Sequence, residues 1–346
     1  MRGAAIAGYA EAAAAVGLDP RGMLRRFDID ARVLYEPELR VPAQKIFELL
    51  ELSAQVSGCE TFGLRMAEVR RLSDYGPIAL LLAHQPTMRD TLMTLIRYQR
   101  MLNDALLLDL QDHADDLVIV REEFVSSSGA LLRQAYELGL GTLVRIFSDP
   151  SGPRLRARRV HFTHSAPSDA RHYRRFFGPI VEFDSDFNGF TCHRSEFDSV
   201  SASADPAMVR YAAGFIDTLP FAQNAALKAE VRKALNVLLP FNGASIASVA
   251  ARLGLSERTM QRRLAEEGAD FSALLNEVRR EHALRHLANL SSPLSQVAGL
   301  VGYSHDSSFA RWFTGEFGMT PAGWRASAAL ERGATGAKAD AARGAA

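Results

Sequence analysis

A chain of 346 residues with 47% hydrophobic content has enough apolar material for one large core or two smaller ones, and its only cysteines, Cys59 and Cys192, lack CxxC or Cys/His spacing, against a disulfide framework or zinc site and in keeping with a reducing cytoplasm. No window approaches the roughly 18–20 uninterrupted apolar residues of a membrane span, and the alanine-rich start, broken by Glu11, lacks the cationic region of an export signal, so no membrane partner is expected. The formal net charge of zero argues against a nucleic-acid binder, yet it divides as −4 over residues 1–224, +3 over 225–325 and +1 beyond, leaving the basic excess near the C-terminal end.

The first 200 residues mix two periodicities. Helical spacing recurs over 4–16, 43–57, 87–102 and 128–147, whereas 106–110, 117–123, 160–162, 181–183 and 187–192 look like short strands. The expected fold is α+β, with an antiparallel or mixed sheet. A polar run, DSVSASADP at 198–206, marks a boundary, and 201–224 is expected to be a linker. From 225 to 327 no strand signal survives, and short helices alternate with glycine-containing turns, as in an all-α domain. The tail, 328–346, has almost no large apolar residue to bury and is expected to be disordered.

Function enters through an internal repeat. SIASVAARLGLSERT at 245–259 recurs as PLSQVAGLVGYSHDS at 293–307, with Val249, Ala250, Gly254 and Ser256 matching Val297, Ala298, Gly302 and Ser304 at a constant offset of 48 residues. Each copy has a short helix with a small residue for close packing, a turn with Gly where positive φ is easiest, and a Ser able to cap the next helix. Two helix-turn-helix units are therefore expected, over about 246–267 and 294–317.

In the first copy the second helix is expected over Glu257–Glu266. At about 100° per residue, Met260 and Leu264 fall on one side and Arg258, Gln261 and Arg262 on the other. Arg suits guanine O6/N7 and Gln suits adenine N6/N7, so this face can read major-groove base edges, with Arg263 to the side, nearer a phosphate. The same stripe also fits a solvated charged face. In the second copy the helix is expected over 306–316, with Phe309 and Phe313 as the buried pair, one residue later than in the first, and Ser307, Ala310 and Arg311 opposite. Ser304 or Asp306 is expected to cap it, its N–H groups favour a phosphate, and His305 either touches DNA or fills the turn.

Between the units, Phe271, Leu274, Leu275, Val278, Ala283, Leu287 and Leu290 recur at helical spacing. They predict one amphipathic helix of roughly 28 Å at about 1.5 Å per residue. A spacer near that length holds two recognition helices in consecutive major-groove segments, about 34 Å apart, and a shortfall requires the DNA to bend. Double-stranded DNA is the expected partner.

Residues 229–325 resemble the AraC/XylS family of bacterial transcription regulators. VAARLGLSERTMQRRL is similar to the family's first unit and VAGLVGYSHDSSFARWFTGEFGMTPAGWR to its second, including the closing G-x-[ST]-P-x-x-[WY]-R signature. The resemblance implies base-reading roles for Arg258, Gln261 and Arg262 and for Asp306, Ser307, Ala310 and Arg311; Ala310 stands where a polar residue is common, which implies sparse readout by the second helix. More loosely, GLDPRGMLRRFDID, RVPAQKIFELLELS, YGPIALLLAHQPTMRDTLMTLIRYQRMLNDALLLDLQ and RHYRRFFGPIVEFDSDFNGF resemble the arabinose-binding-like domain of the subgroup with ornithine-utilisation regulators. That implies an effector-binding or dimerisation domain over 1–200, a homodimer, a small-molecule effector and, for an activator, contact with RNA polymerase. A domain that only dimerises or binds a protein is the alternative.

Other chemistry is weakly marked. His161 and His164 would not share a strand face, so no metal is assigned, and no cofactor motif is present. Arg154, Arg156, Arg158 and Arg159 fit a solvated loop or an anion contact. Ser126–Ser128 with Gly129 is neither a GxSxG elbow nor a P-loop, and no enzyme is expected. Tyr75, His84, Arg97, Tyr98 and Arg100 lie in an apolar stretch, where they line a pocket or fill ordinary core and surface roles.

Overall fold

The computed structural model describes residues 1–103, 105–113, 115–124, 132–148, 155, 157–178, 180–218, 226–241, 243–253, 255–288 and 293–327. Backbone contacts separate two compact units, 1–224 and 225–346. The Ser126–Gly129 stretch, Arg154, Arg156, Gly254, Leu290 and the tail from 328 lie outside the described residues.

The first unit opens with a 3-10 turn, Gly3–Ile6, and helix α1, Tyr9–Ala15. The single helix expected over 4–16 is broken at Gly8, whose φ of 83° is left-handed and suits a residue without Cβ. Helix α2, Pro20–Arg26, begins with Pro at its first position while the Asp19 carboxylate accepts the Arg21 N–H. Then come α3 (Ala43–Ser57), α4 (Phe62–Val69), α5 (Ile78–Ala83) and α6 (Met88–Leu102), the last capped by the Thr87 hydroxyl. The hairpin β1 (Leu106–His113) and β2 (Leu117–Phe124) leads to α7 (Arg133–Phe147), β3 (Arg159–His161), α8 (Arg171–Phe177), β4 (Val181–Glu182), β5 (Asn188–His193), α9 (Arg194–Phe197) and α10 (Pro206–Asp217).

The strands form one sheet in the order β1-β2-β5-β3-β4, antiparallel except for the parallel β3–β4 pair. The α+β reading with a mixed sheet therefore holds. The 201–224 stretch, expected as a linker, contains α10, whose Ala212 and Ile216 are buried in the first unit's core. Asp217 on that helix pairs with Arg97 at 3.4 Å and accepts the Tyr98 hydroxyl at 3.0 Å. The polar run before α10 is thus a connection inside this unit, its own backbone bonding back through Ser201 N–H to Pro86 O at 2.7 Å.

The second unit is all-α: α11 (Leu227–Leu238), α12 (Ile246–Arg252), α13 (Glu257–Glu266), α14 (Phe271–Ala288), α15 (Leu294–Leu300) and α16 (Asp306–Phe317). Helix α11 has no capping side chain of its own; the Glu267 carboxylate instead accepts the N–H groups of Lys228 at 2.8 Å and Leu227 at 2.7 Å. Those bonds hold Glu267 below the usual carboxylate range.

Helix α14 serves two cores. Leu274 and Val278 pack with Val231, Val249, Met260 and Leu264, whereas Ala283 and Leu287 pack with Val297, Ala298, Phe309 and Phe313. At about 100° per residue, Val278 and Ala283 point about 140° apart. The connector is therefore not a helix with one apolar stripe, as its spacing predicted, but one whose buried face turns between its halves.

Candidate nucleic-acid interface and an internal cavity

The repeat seen in the sequence is a repeat in structure. Helices α12 and α15 coincide at the 48-residue offset, and their Val249/Ala250 and Val297/Ala298 pairs are all buried. The second helices do not coincide: α13 starts at Glu257, α16 at Asp306, one residue late. The turns explain the slip. Ser256 caps α13 by accepting the Thr259 N–H at 3.2 Å, but the residue at the head of α16 is His305, with no side-chain cap, so neither Ser304 nor Asp306 plays the expected part. Gly302 keeps the turn with φ 79°.

With the slip included, Arg258, Gln261 and Arg262 on α13 correspond to Ser307, Ala310 and Arg311 on α16. All are exposed except the half-buried Ala310. Behind them Met260 and Leu264, and Phe309 and Phe313, are buried as expected. Arg263 and Asp306 are exposed as well, and the counterpart of Arg263 is Trp312, which packs on Tyr303 with ring centroids 5.6 Å apart. Arg262 is not free: its Nη1 pairs with Glu266 Oε1 at 2.5 Å, a contact one helical turn away that the wheel did not reveal.

Several other candidates have ordinary partners. Arg159 pairs with Glu182 at 3.0 Å, and the Arg158 N–H bonds to Thr191 O at 2.7 Å. His161 Nδ1 lies 3.2 Å from Ser185 Oγ, and His164 Nδ1 lies 3.0 Å from Ser165 O; burial lowers both pKa values, that of His164 to about 4. His84 meets Ser203 O at 3.3 Å.

Tyr75 behaves differently. It lines a cavity of about 80 Å³ inside the first unit, with Leu50, Leu95, Leu106, Leu108, Phe124 and Leu143 among its apolar walls. Four side chains of that lining, Tyr75, Gln99, Glu122 and Thr142, bury oxygens that have no hydrogen-bond partner among the described residues. Both carboxylate oxygens of Glu122 are in this condition, and the residue is 0% exposed. Burial holds its carboxyl well above the usual range, with Glu123 adding to the effect.

Glu122 is there because of strand geometry. Val118, Val120, Glu122 and Phe124 alternate on the buried face of β2, and in the β1–β2 register Glu122 lies opposite Leu108. Helix α7 covers this face, and a Cβ at Gly139 would collide with Glu122 Oε1, so a helical glycine makes room for the carboxyl. Glu137, equally buried, has by contrast one oxygen answered, its Oε1 accepting from Arg133 Nε at 2.9 Å and from the Tyr173 hydroxyl. Sequence reasoning missed Glu122; the signal was an acid at an inward position of an alternating strand.

Residues 17–199 match the family described as the arabinose-binding domain of AraC transcription regulator, N-terminal, and residues 249–327 match a helix-turn-helix domain family. The HTH-type transcriptional regulator VirS of Mycobacterium tuberculosis is 32% identical over 320 residues, covering 92% of this chain and 94% of VirS. The ornithine utilization regulator of Pseudomonas aeruginosa is 24% identical over 327 residues, covering 92% and 95%. A crystal structure of the transcriptional regulator CdpR from Pseudomonas aeruginosa aligns with 88% of this chain at 22% identity and a TM-score of 0.45. The two family matches, in the order the two units follow, and the near full-length likeness to VirS place this chain in the AraC family of DNA-binding transcriptional regulators.

Proposed function

We propose that this regulator reads its operator with the exposed faces of α13 and α16, and that a small molecule held in the first unit sets its affinity for DNA. The observation that carries the first part is the correspondence of Arg258, Gln261 and Arg262 with Ser307, Ala310 and Arg311 after the one-residue slip. The faces are unequal. The first offers two guanidiniums and an amide, suited to guanine and adenine edges, and the second offers one guanidinium, a hydroxyl and a methyl. We assign most of the sequence reading to α13, with Arg263 on a phosphate, and backbone positioning to α16 with its N-terminal His305 and Asp306.

The cavity favours a sensor over a first unit that only dimerises, because unpartnered buried oxygens are costly unless something answers them. In this reading the first unit also forms a homodimer, the protein works in the cytoplasm, and an activating form meets RNA polymerase at the promoter. The effector acts only through its different affinities for the two arrangements of the protein. Genome-wide mapping of bound sites, repeated with Arg258→Ala/Arg262→Ala, tests the reading. Discrete sites that vanish in the variant support it; the same sites bound equally by both would remove α13 from the reading role.

A further inference from the structure

Resting on the effector reading, we propose that the cavity beneath α7 takes a small organic amine, whose ammonium sits on the Glu122 carboxylate while its hydrocarbon part lies against the leucines of the wall. The argument starts from hydrogen-bond supply. The unanswered atoms facing the cavity are Glu122 Oε1 and Oε2, Gln99 Oε1, Tyr75 Oη and Thr142 Oγ1. The Gln99 oxygen and an ionised Glu122 only accept, and the two hydroxyls accept as readily as they donate. What is missing is therefore a donor, and an ammonium brings three with a charge.

Charge points the same way. The ionisable groups of the lining are Glu122, Asp74, Arg70, Tyr75 and the N-terminal ammonium of Met1. The Arg70 guanidinium is engaged elsewhere, donating to Ala4 O at 2.7 Å and Ala7 O at 3.4 Å, the Met1 ammonium donates to Val41 O at 2.8 Å, and Asp74 accepts the Arg71 N–H at 2.9 Å. That leaves Glu122, packed against Gly139, without a counter-ion among the described residues. A buried acid in this state is neutral, and a cation brought beside it restores the charged form. On binding, the amine arrives protonated and Glu122 gives its proton to solvent, so one proton is released per amine bound at a pH where the empty site is protonated.

Size limits the class. By the roughly 10–15 Å³ of such space that one water occupies, the cavity admits on the order of six non-hydrogen atoms. The walls are otherwise mostly apolar, so a short alkylamine fits and a polyol or a dicarboxylate does not.

The test uses the full chain and three matched probes: n-pentylamine, 1-pentanol and pentanoate. Thermal unfolding and titration calorimetry, the latter in two buffers of different ionisation enthalpy, read binding and proton release. Pentylamine should stabilise the protein saturably and release close to one proton, with at least tenfold weaker binding of the alcohol and the carboxylate. Glu122→Gln, which keeps the side chain's shape and removes its charge, should retain the fold and lose the amine's advantage. Glu122→Asp serves as a second variant that keeps the charge and should restore part of it. Equal or tighter binding of pentanol or pentanoate, no response to any probe, or an unchanged amine affinity in a folded Glu122→Gln protein overturns the assignment. Amine binding that passes these checks but leaves operator affinity unaltered would overturn the effector reading instead, and leave the chemistry of the cavity standing.

Discussion

Arg262 is a surface side chain with two possible partners. Its pair with Glu266 joins groups that are 65% and 57% exposed, one turn apart with the base N-terminal to the acid. An exposed pair in that orientation is worth no more than about 0.5 kcal/mol, whereas a bidentate contact with guanine discriminates by about 1–3 kcal/mol. On the proposed reading, the weaker pair with Glu266 gives way to a base contact. Arg262→Ala should cost about 1–3 kcal/mol of operator affinity and relax preference at one base pair, with stability changed by less than about 0.5 kcal/mol. Anisotropy titrations against operators substituted one base pair at a time check this. A loss of equal size on every sequence would reassign Arg262 to a phosphate.

Helix α14 carries His282 in a place where a helix would ordinarily bury leucine, with the half-buried His286 one turn on. His282 is 0% exposed; its Nε2–H donates to Asn236 Oδ1 at 2.9 Å, and the Asn236 amide in turn donates to Arg232 O at 2.8 Å. Burial, with help from Arg285 and His286, holds His282 well below its ordinary pKa, and burial with Arg285 brings His286 to about 3. Both are thus neutral when folded, while the unfolded chain takes up protons as pH falls through about 6.5. The unfolded state then binds more protons, so stability is full above that pH and is lost below it, by up to about 1.4 kcal/mol per pH unit for each histidine. Glu281, whose carboxyl is raised by burial, offsets part of this, since its contribution is present at low pH and lost as pH rises. Urea titrations between pH 7 and 5, followed by the fluorescence of Trp312 and Trp324, should show the second unit weakening on acidification, and His282→Gln should remove about half of the slope. An identical slope in that variant would mean the imidazole is not the titrating group. These elements also show what the sequence could and could not reveal. The ends of α3, α6 and α13 were readable because long periodic runs begin at Pro42, Thr87 and Ser256 and end near a change of pattern. Helices α2, α4, α5, α8 and α9, each of eight residues or fewer, span too few turns for periodicity to register. The α13 face was legible because it needs only one helix. The Glu122 cavity was not, because it exists only where the face of β2 meets Gly139 on α7.

At the scale of the whole molecule, the proposed sensing and reading roles fall in separate compact units, each with its own buried clusters. Both tryptophans of the chain, Trp312 and Trp324, belong to the second unit, so their fluorescence reports its unfolding alone. A ligand of the first unit that acted by local binding only would leave that signal, and operator affinity, untouched. Regulation requires more: the free energy of binding in one unit must depend on occupancy of the other, and that coupling is the same in both directions. If pentylamine changes the operator Kd by a factor of ten, about 1.4 kcal/mol, then saturating operator must change the pentylamine Kd by the same factor and in the same sense. Calorimetry of the amine with and without operator, and anisotropy of the operator with and without amine, give the two ratios independently. Equal ratios different from one establish a regulator whose sensor and reader share one equilibrium. Ratios of one in both directions would mean that occupancy of the cavity stabilises the first unit without instructing the second.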